Sequence, residues 1–463
     1  METDILSQFR ETLYQNLDNR ADAIFELLDA LSSNQGARSP VELSLSPLFR
    51  RQYPSVYTAI EDFHLDPEVY RELLGMIAPD PEVRPFWLFS TDATPHPRPY
   101  AKTLADRSYV HAPTPLKSNK PVTVGHAYST VVILPEKEAG EAPWVIPASV
   151  RRVNSQEDTE LVGAEQLDEL LTDPSMPWHG ELIVHVGDTS YSKPAFLWHT
   201  LQHPNLVDVV RVRNNRVFYW PYQPDPKAKK GRGRPRVYGE RFALNEPETW
   251  PEPDERYEWQ EKRSRGRTHT ISIQAWDGLL MQGKRDMPMH RRPFILVQVE
   301  ERNQEGKLVH RRPLWFIIIG HRRHEVYPKL ATQAYRQRFD HEHFLRFGKR
   351  NLLFTAYQTP EAEREEAWWQ LGFLAYRQLW AARDLAEVQW RPWERYGSAT
   401  RRLHLSPSQV QRDFSRIIGA IGTPARPPKR RGKSPGRPLG YRLPPRQRHK
   451  VVRKGKKKRK KAV

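Results

Sequence analysis

Four polar residues recur at regular intervals in the segment 334–349: Tyr335, Arg338, Glu342 and Lys349. The apolar spacing of this segment predicts one helix, and offsets of 3, 7 and 14 residues would place the four side chains on one stripe of it. A carboxylate flanked by cations suits a site that handles a metal ion and phosphate together. Arg338 and Glu342 also have the spacing of an ordinary surface ion pair, worth about 0.3 kcal/mol.

Two aspartates upstream stand at the ends of apolar runs. Asp92 follows the run 84–91, and Asp188 follows the run 181–187. Each run predicts a short buried strand with its aspartate at the C-terminal end. Functional sites collect at such strand ends, although a single aspartate there is more often a turn residue. Asp92, Asp188 and Glu342 are therefore the candidate catalytic residues and metal ligands.

Three converging carboxylates would offer only oxygen ligands. Such a site suits Mg²⁺ or Mn²⁺ rather than zinc, and two ions about 4 Å apart can promote displacement at phosphorus. His341 and His343 bracket Glu342, but neighbouring helix positions point about 100° apart, so the three cannot share one ion. The predicted cofactor is Mg²⁺ or Mn²⁺, as two ions.

The residues and their order resemble those of the DDE transposases of bacterial insertion sequences, in the branch with a Tyr-Arg-Glu-Lys pattern. The motifs that carry the resemblance are Asp92-x-Thr94, Asp188-x-x-Tyr191 and the segment Tyr335–Lys349, and the likeness extends over most of residues 80–430. It implies an RNase H-like fold, cleavage and joining of DNA strands, and a dimer or larger assembly on two DNA ends. By analogy, Arg338, Lys349 and Tyr335 would contact DNA phosphates.

The predicted fold class is α/β, with an RNase H-like mixed sheet, a β-rich insertion, an N-terminal helical domain and a disordered basic tail. Strands are expected at 122–134 and at 208–220, the latter with a turn at Asn214-Asn215. Glu342 follows Asp188 by 154 positions, which is too long for an unstructured loop and predicts an inserted subdomain. The expected boundaries are 1–80 (helical, possible end binding), 81–220 (first half of the core), 221–320 (β-rich insertion), 321–425 (second half, with the catalytic helix) and 426–463 (tail).

The positive charge of the chain is concentrated at its C-terminus. The net charge is +19, but residues 426–463 hold 18 of the 74 Lys and Arg and no Asp or Glu, so residues 1–425 carry 56 cations against 55 anions. A segment of this composition is expected to be disordered when free and to neutralise DNA phosphates without sequence preference, or simply to aid solubility.

A second basic stretch, 227–236, has the Arg-Gly-Arg-Pro sequence of an AT-hook. Arg232, Arg234 and Arg236 would enter an A·T-rich minor groove, since Gly allows close approach and Pro keeps the chain extended. A plain basic linker has the same composition. The chain has no cysteine, and its longest apolar run, 314–320, is far shorter than a membrane span of about 18 residues, so we expect no membrane partner and a bacterial cytoplasmic, nucleoid-associated protein.

Two other functions fit the same residues. The chain could be a DNA-binding protein that has kept a transposase fold without catalysis, or a metal-dependent nuclease that cuts without joining. In the helix predicted at 363–383, Trp368 and Trp369 are interpreted as core packing residues rather than as base-stacking ones. The intact set of three carboxylates argues against the noncatalytic protein, and the nuclease remains an open alternative.

Overall fold

The computed structural model describes residues 2–111, 121–138, 140–224, 235–262, 267–393, 405–429, 432 and 436–453. It is a mixed α/β protein built on one large mixed sheet. Within the described residues no helix is both long enough and apolar enough to cross a membrane.

The first eighty residues form helices that pack on the rest of the protein. Their bounds are α1 (Glu2–Gln15), α2 (Ala21–Ser32), α3 (Pro54–Asp62) and α4 (Pro67–Ile77). The apolar side of α2 is buried, and the buried Arg10 of α1 bonds both Asp29 of α2 and Gln378 of a later helix. A buried charge needs such partners, so this contact joins the N-terminal helices to the core.

The centre of the protein is a sheet that surrounds the two candidate aspartates. Its first strands are β1 (Trp87–Pro97), β2 (Ser108–His111), β3 (Val122–Ile133), β4 (Ile146–Val153), β5 (Ile183–Gly187) and β6 (Leu206–Arg211). The order is β2-β3-β1-β5-β6 with β4 also paired to β3, and β5 runs parallel to both of its neighbours. Helices α5 (Thr159–Thr172) and α6 (Pro194–Thr200) connect these strands. This order is consistent with an RNase H-like core.

The described part of residues 217–320 contains six further strands, of which the last four join the same sheet. They are β7 (Val217–Pro221), β8 (Tyr238–Ala243), β9 (Glu255–Lys262), β10 (Thr268–Leu279), β11 (Phe294–Arg302) and β12 (Leu314–Gly320). Antiparallel pairing continues the order as β6-β12-β11-β10-β9. The turn predicted at Asn214-Asn215 is present, but β7 does not extend the core sheet as expected. The apolar β12 takes the free edge of β6, so β7 pairs with β8 in a separate small sheet.

The last helices differ in one respect from the prediction. They are α7 (Pro328–Gln337), α8 (Phe339–Asn351), α9 (Ala362–Ala381) and α10 (Pro407–Ile421). The single helix expected over 334–349 is instead two helices that meet at Arg338. Tyr335 at the end of α7 stacks on Phe316 of β12, whereas α8 packs on β1, so the bend lets the two segments reach different strands.

Trp368 and Trp369 are both fully buried in α9, which confirms that they pack in the core. The indole of Trp369 stacks on Tyr128 of β3, with 4.5 Å between ring centroids. Helix α10 begins with a capping box that Ser406 and Gln409 form.

The α8 helix lies so close to its neighbour that one glycine cannot be replaced without cost. A Cβ at Gly348 would overlap the ring of Phe354, whereas a Cβ at Gly419 of α10 would meet nothing within 4 Å. We expect Gly348→Ala to lower the free energy of unfolding by about 2 kcal/mol through overpacking. Gly419→Ala should raise it by about 1 kcal/mol, since alanine favours an exposed helix. Urea unfolding of both variants tests this, and equal effects would contradict the close packing of α8.

The C-terminal segment is ordered in part, contrary to the expectation of a disordered tail. Residues 436–453 have no regular secondary structure apart from a turn at 439–440, and Val452 forms an isolated parallel bridge with Ser108 at the edge strand β2. Backbone pairing with an exposed strand edge explains this order. The basic run 454–461 lies outside the described residues.

Candidate active site

The two aspartates lie side by side in adjacent parallel strands. The register of β1 with β5 pairs Ser90 with Val186, so continuing it by two residues brings Asp92 opposite Asp188. β5 ends at Gly187, as predicted, but β1 does not end at Asp92. It continues to Pro97 because β3 pairs with it along that whole length. Asp92 therefore stands within a strand, at the point where its parallel neighbour stops.

Alternation along β1 turns Asp92 toward α8 and α9. Ser90 and His96 share its face of the sheet, since side chains two residues apart point the same way. The hydroxyl of Ser90 lies 3.1 Å from Nδ1 of His341 in α8, and the indole N–H of Trp369 in α9 donates to Nδ1 of His96 at 3.1 Å. The helix that carries Glu342 thus covers the face that carries Asp92.

The Asp92 carboxyl has an unusual environment. Burial raises its pKa to about 6, against the opposing effects of the Ala93 N–H and of Arg338, while Asp188 and Glu342 raise it further. The Ala93 N–H donates to Oδ1 at 2.8 Å. The charges of Asp188 and Glu342 therefore both act on the Asp92 carboxyl.

Asp188 is held by the turn that follows β5. Its Oδ1 accepts the N–H and the hydroxyl of Ser190, at 2.8 and 2.5 Å. Neither Asp92 nor Asp188 makes an ion pair with any other described residue. Two adjacent carboxylates with no cationic side chain between them fit the requirements of a divalent cation that binds oxygen.

Glu342 in the first turn of α8 makes the ion pair that its spacing allows. The Nη2 atom of Arg338 lies 2.8 Å from Oε1 of Glu342, whose side chain is 41% exposed. Among the residues that the structure describes, no three His, Asp or Glu side chains are close enough to enclose one metal ion. The carboxylate oxygens of Asp92, Asp188 and Glu342 are of the donor type that fits Mg²⁺ or Mn²⁺.

The remaining residues of the helix motif lie around the carboxylates. The Arg338 guanidinium lies over the rings of Tyr335 and Phe339, at 5.6 and 5.0 Å from their centroids. Burial opposes its charge, but Tyr335 and Glu342 outweigh that effect and raise the pKa of Arg338. Burial lowers the pKa of Lys349, while Asp92 acts against this shift. The Asp92 carboxylate therefore acts on both cations.

Tyr335 also borders a cavity of about 710 Å³ beside the candidate site. Its ring is buried against Phe316, and its hydroxyl lies near the Arg338 side chain. Its lining combines apolar side chains with the arginines Arg211, Arg311, Arg312 and Arg336 and the acids Glu300 and Glu301. Four arginines against two glutamates give this lining a net positive charge.

The AT-hook-like residues are placed only in part. Arg232 and Arg234 lie outside the described residues. Arg236 is exposed, donates from Nε to the Tyr238 carbonyl at 2.8 Å, and lies 5.0 Å from the centroid of the Tyr222 ring. These contacts belong to the β7–β8 region and not to the group of carboxylates.

His341 is a site neighbour whose contacts sequence reasoning did not find. Burial lowers the pKa of this imidazole to about 3, so it is neutral. The Thr130 hydroxyl donates to the Asp92 carbonyl at 2.9 Å and accepts from Nε2 of His341 at 2.9 Å. Nδ1 then accepts from the Ser90 hydroxyl. This chain of hydrogen bonds joins α8, β1 and β3 directly behind Asp92.

The His341 contacts predict a large effect on stability. We expect His341→Ala to lower the free energy of unfolding by about 3 kcal/mol, because it leaves a cavity and unpaired hydroxyl groups. His343→Ala, at the exposed position two residues later, should change it by less than about 0.5 kcal/mol. Urea unfolding of the two variants makes the comparison. A similar small effect for both would show that His341 does not fix α8 against the sheet.

A second buried network was also missed, and it ties the far end of β1 to α9. Glu365 of α9 is fully buried and accepts from Arg98 at 2.6 Å and from the Tyr128 hydroxyl at 2.8 Å, with Nδ1 of His126 at 2.7 Å. Polar residues at alternate positions of β1 and β3 were the sequence pattern that could have indicated this network. This network fixes the extension of β1 beyond Asp92.

Comparison with known proteins agrees with this geometry. The sequence model of the DDE superfamily endonucleases matches residues 12–271, which is more than half of the chain. The match includes Asp92 and Asp188 and ends before Glu342. No curated protein sequence matches the chain. On the extent of the family match, the chain belongs to the DDE superfamily endonucleases.

Proposed function

We propose that the chain is a transposase that cuts DNA at the ends of an insertion sequence and joins those ends to target DNA. The proposal depends on one observation, the register that brings Asp92 opposite Asp188 on the face covered by the helix of Glu342. Membership of the DDE superfamily endonucleases supports the cleavage part of the proposal. The Tyr-Arg-Glu-Lys spacing of residues 335–349 supports the assignment to insertion sequences.

Asp92, Asp188 and Glu342 are the residues that would hold Mg²⁺ or Mn²⁺. When bound, two such ions activate the attacking oxygen and stabilise the leaving oxygen of an in-line displacement at phosphorus. Water as the attacking group gives a nick, and a freed 3′ hydroxyl gives strand joining. An RNase H-like core that presents its acids in this way serves both reactions.

The cations around the carboxylates would orient the DNA backbone. Arg338 offers a planar guanidinium that binds phosphate through two N–H groups, and Lys349 offers a single positive charge. The arginines of the cavity beside Tyr335 extend this positive surface. Two DNA ends must be held together for joining, so we propose that a dimer or larger assembly acts on them in the bacterial cytoplasm.

The test is a cleavage and joining assay with sequencing of the products. The protein is incubated with Mg²⁺ and a library of DNA fragments that includes the regions flanking its own gene. Joined products with a constant end sequence are the expected result. Cleavage without joining would identify a nuclease instead, and binding without either product would identify a noncatalytic DNA-binding protein.

A further inference from the structure

The C-terminal segment 436–453, called the strap from here on, reaches the edge of the large sheet at Val452. Register pairs Pro97 of β1 with Gly125 of β3, Gly125 with Ser108 of β2, and Ser108 with Val452 of the strap. These four residues form one row across the sheet. The strap is therefore added at the outer side of β2, in the sheet whose β1 strand carries Asp92.

Backbone hydrogen bonds hold the strap in this place. The N–H of His449 donates to the Lys102 carbonyl at 2.8 Å, and the N–H of Val452 donates to the Arg107 carbonyl at 2.7 Å. The Arg107 guanidinium, which is buried, donates in turn to the His449 carbonyl at 3.3 Å. These bonds hold the strap against the loop that precedes β2 and against the residue next to the start of β2.

Most cations of the strap are not paired with an acidic residue of the part of the chain that the structure describes. Only Arg446 forms an ion pair among the strap cations that the structure describes, with Glu361 at 3.0 Å. The exposed strap cations without such a pair are Arg437, Arg442, Arg448, Lys450 and Arg453. Residues 426–463 contain no acidic residue, so this charge is available to an external polyanion.

We propose that the strap binds the sugar-phosphate backbone of DNA at a fixed distance from the phosphate that is cut. The proposal rests on the proposed function, since that function supplies the DNA. It goes further by assigning a position to a basic segment whose composition alone predicts only unlocalised binding.

The register sets that distance. Asp92 and Pro97 are five residues apart, or about 17 Å along β1, and the three steps from β1 to the strap cover about 14 Å. Val452 is then about 22 Å from Asp92 by these spacings. Along B-DNA this corresponds to about six or seven base pairs, at 3.4 Å each. The strap should therefore contact DNA within about ten nucleotides of the cut phosphate.

The absence of cysteine allows a direct test in the full chain. Gln447→Cys places one thiol on an exposed strap residue, where a DNA-cleaving iron chelate can be attached. The wild-type cleavage position supplies the reference phosphate. We expect chelate cuts to cluster within about ten nucleotides of it.

The anchor is tested by adding His449→Pro and Val452→Pro, which remove both anchoring N–H groups and leave every Lys and Arg in place. We expect the fraction of chelate cuts that fall within about ten nucleotides of the cleaved phosphate to decrease at least fivefold. The midpoint of thermal unfolding should be unchanged. Leu439→Pro is the matched control, because Leu439 is fully exposed and its N–H makes no backbone hydrogen bond to a described residue.

The outcomes separate the two proposals. If the protein cuts DNA but the chelate pattern is unclustered, or is unchanged by the two prolines, the strap proposal is wrong and the proposed function stands. If the protein cuts no DNA, the proposed function is wrong and the strap proposal is overturned with it.

Discussion

Asp92→Asn is expected to abolish DNA cleavage while DNA binding continues. Asparagine keeps the size of the side chain but removes the negative charge that would hold a metal ion between β1 and β5. A lost metal contact of about 4 kcal/mol in the transition state corresponds to a rate lower by about a thousandfold. Single-turnover cleavage of a labelled DNA end measures the rate, and fluorescence anisotropy of the same DNA measures the affinity.

Glu342→Gln should lower the cleavage rate by the same factor. This variant tests whether Glu342 belongs to the active site. Glu342 is 41% exposed and paired with Arg338, which is also the arrangement of an ordinary helix ion pair. Asp340→Asn is a matched control in the same helix, because Asp340 pairs with Lys137, at 2.5 Å, and not with the site cations. Cleavage by Glu342→Gln at the rate of the Asp340→Asn variant would remove Glu342 from the active site.

The same Asp92→Asn substitution is expected to stabilise the protein at neutral pH. The pKa of Asp92 is raised from its ordinary 3.8 to about 6 by burial and by the neighbouring carboxylates. Between pH 4 and pH 6 the folded state therefore binds more protons than the unfolded state, so stability falls as the pH rises. Above this window the charged carboxyl destabilises the fold, by at most about 3 kcal/mol, and asparagine removes this cost.

Urea unfolding at pH 4 and at pH 7.5, in the presence of a chelator, measures the effect. The gain from Asp92→Asn should be about 2 kcal/mol at pH 7.5 and near zero at pH 4, where the native carboxyl is already neutral. Asp173→Asn provides a control of opposite sign, because Ser175 and Arg71 lower the pKa of Asp173. That variant should lose stability at pH 7.5. A loss of stability for both variants at pH 7.5 would contradict the prediction that the charged Asp92 carboxylate destabilises the fold.

A divalent metal ion should reverse the loss of stability that the charged Asp92 carboxylate causes in the wild-type protein. Since Mg²⁺ would bind the folded site and not the unfolded chain, it should raise the unfolding midpoint of the wild type and leave that of Asp92→Asn unchanged. Activity and stability then change in opposite directions at one residue. This pattern is typical of an active site and not of a structural ion pair.

Much of the candidate site could be predicted from local patterns. The apolar run before Asp188 forms a strand whose burial on both faces needs no alternation, as is typical of parallel strands. The antiparallel strands β11 and β12, with the tight turn between Asn303 and Gly306, were likewise predictable from apolar runs around polar turn residues. These features depend on residues close in the chain, so periodicity and turn chemistry were sufficient.

Other features required contacts between distant residues. Periodicity predicted one helix over 334–349, but stacking of Tyr335 on Phe316 and packing of His341 on Ser90 draw its two halves to different strands. The apolar run 84–91 predicts that β1 ends at Asp92. In the structure, pairing with β3 extends β1 to Pro97. This part of β1 contains Pro95 and Pro97, and β5 no longer pairs with it there.

The sequence by itself determined the three carboxylates, their order, the cations spaced around Glu342 and the concentration of positive charge at the C-terminus, because these are properties of residue type and spacing. Only the tertiary structure decided that Asp92 faces Asp188, that Glu342 pairs with Arg338, that His341 joins α8 to the sheet, and that the strap lies on the β2 edge. Each of those depends on strand register or on a buried contact, and the free energy of such contacts comes from surfaces that meet only in the folded chain.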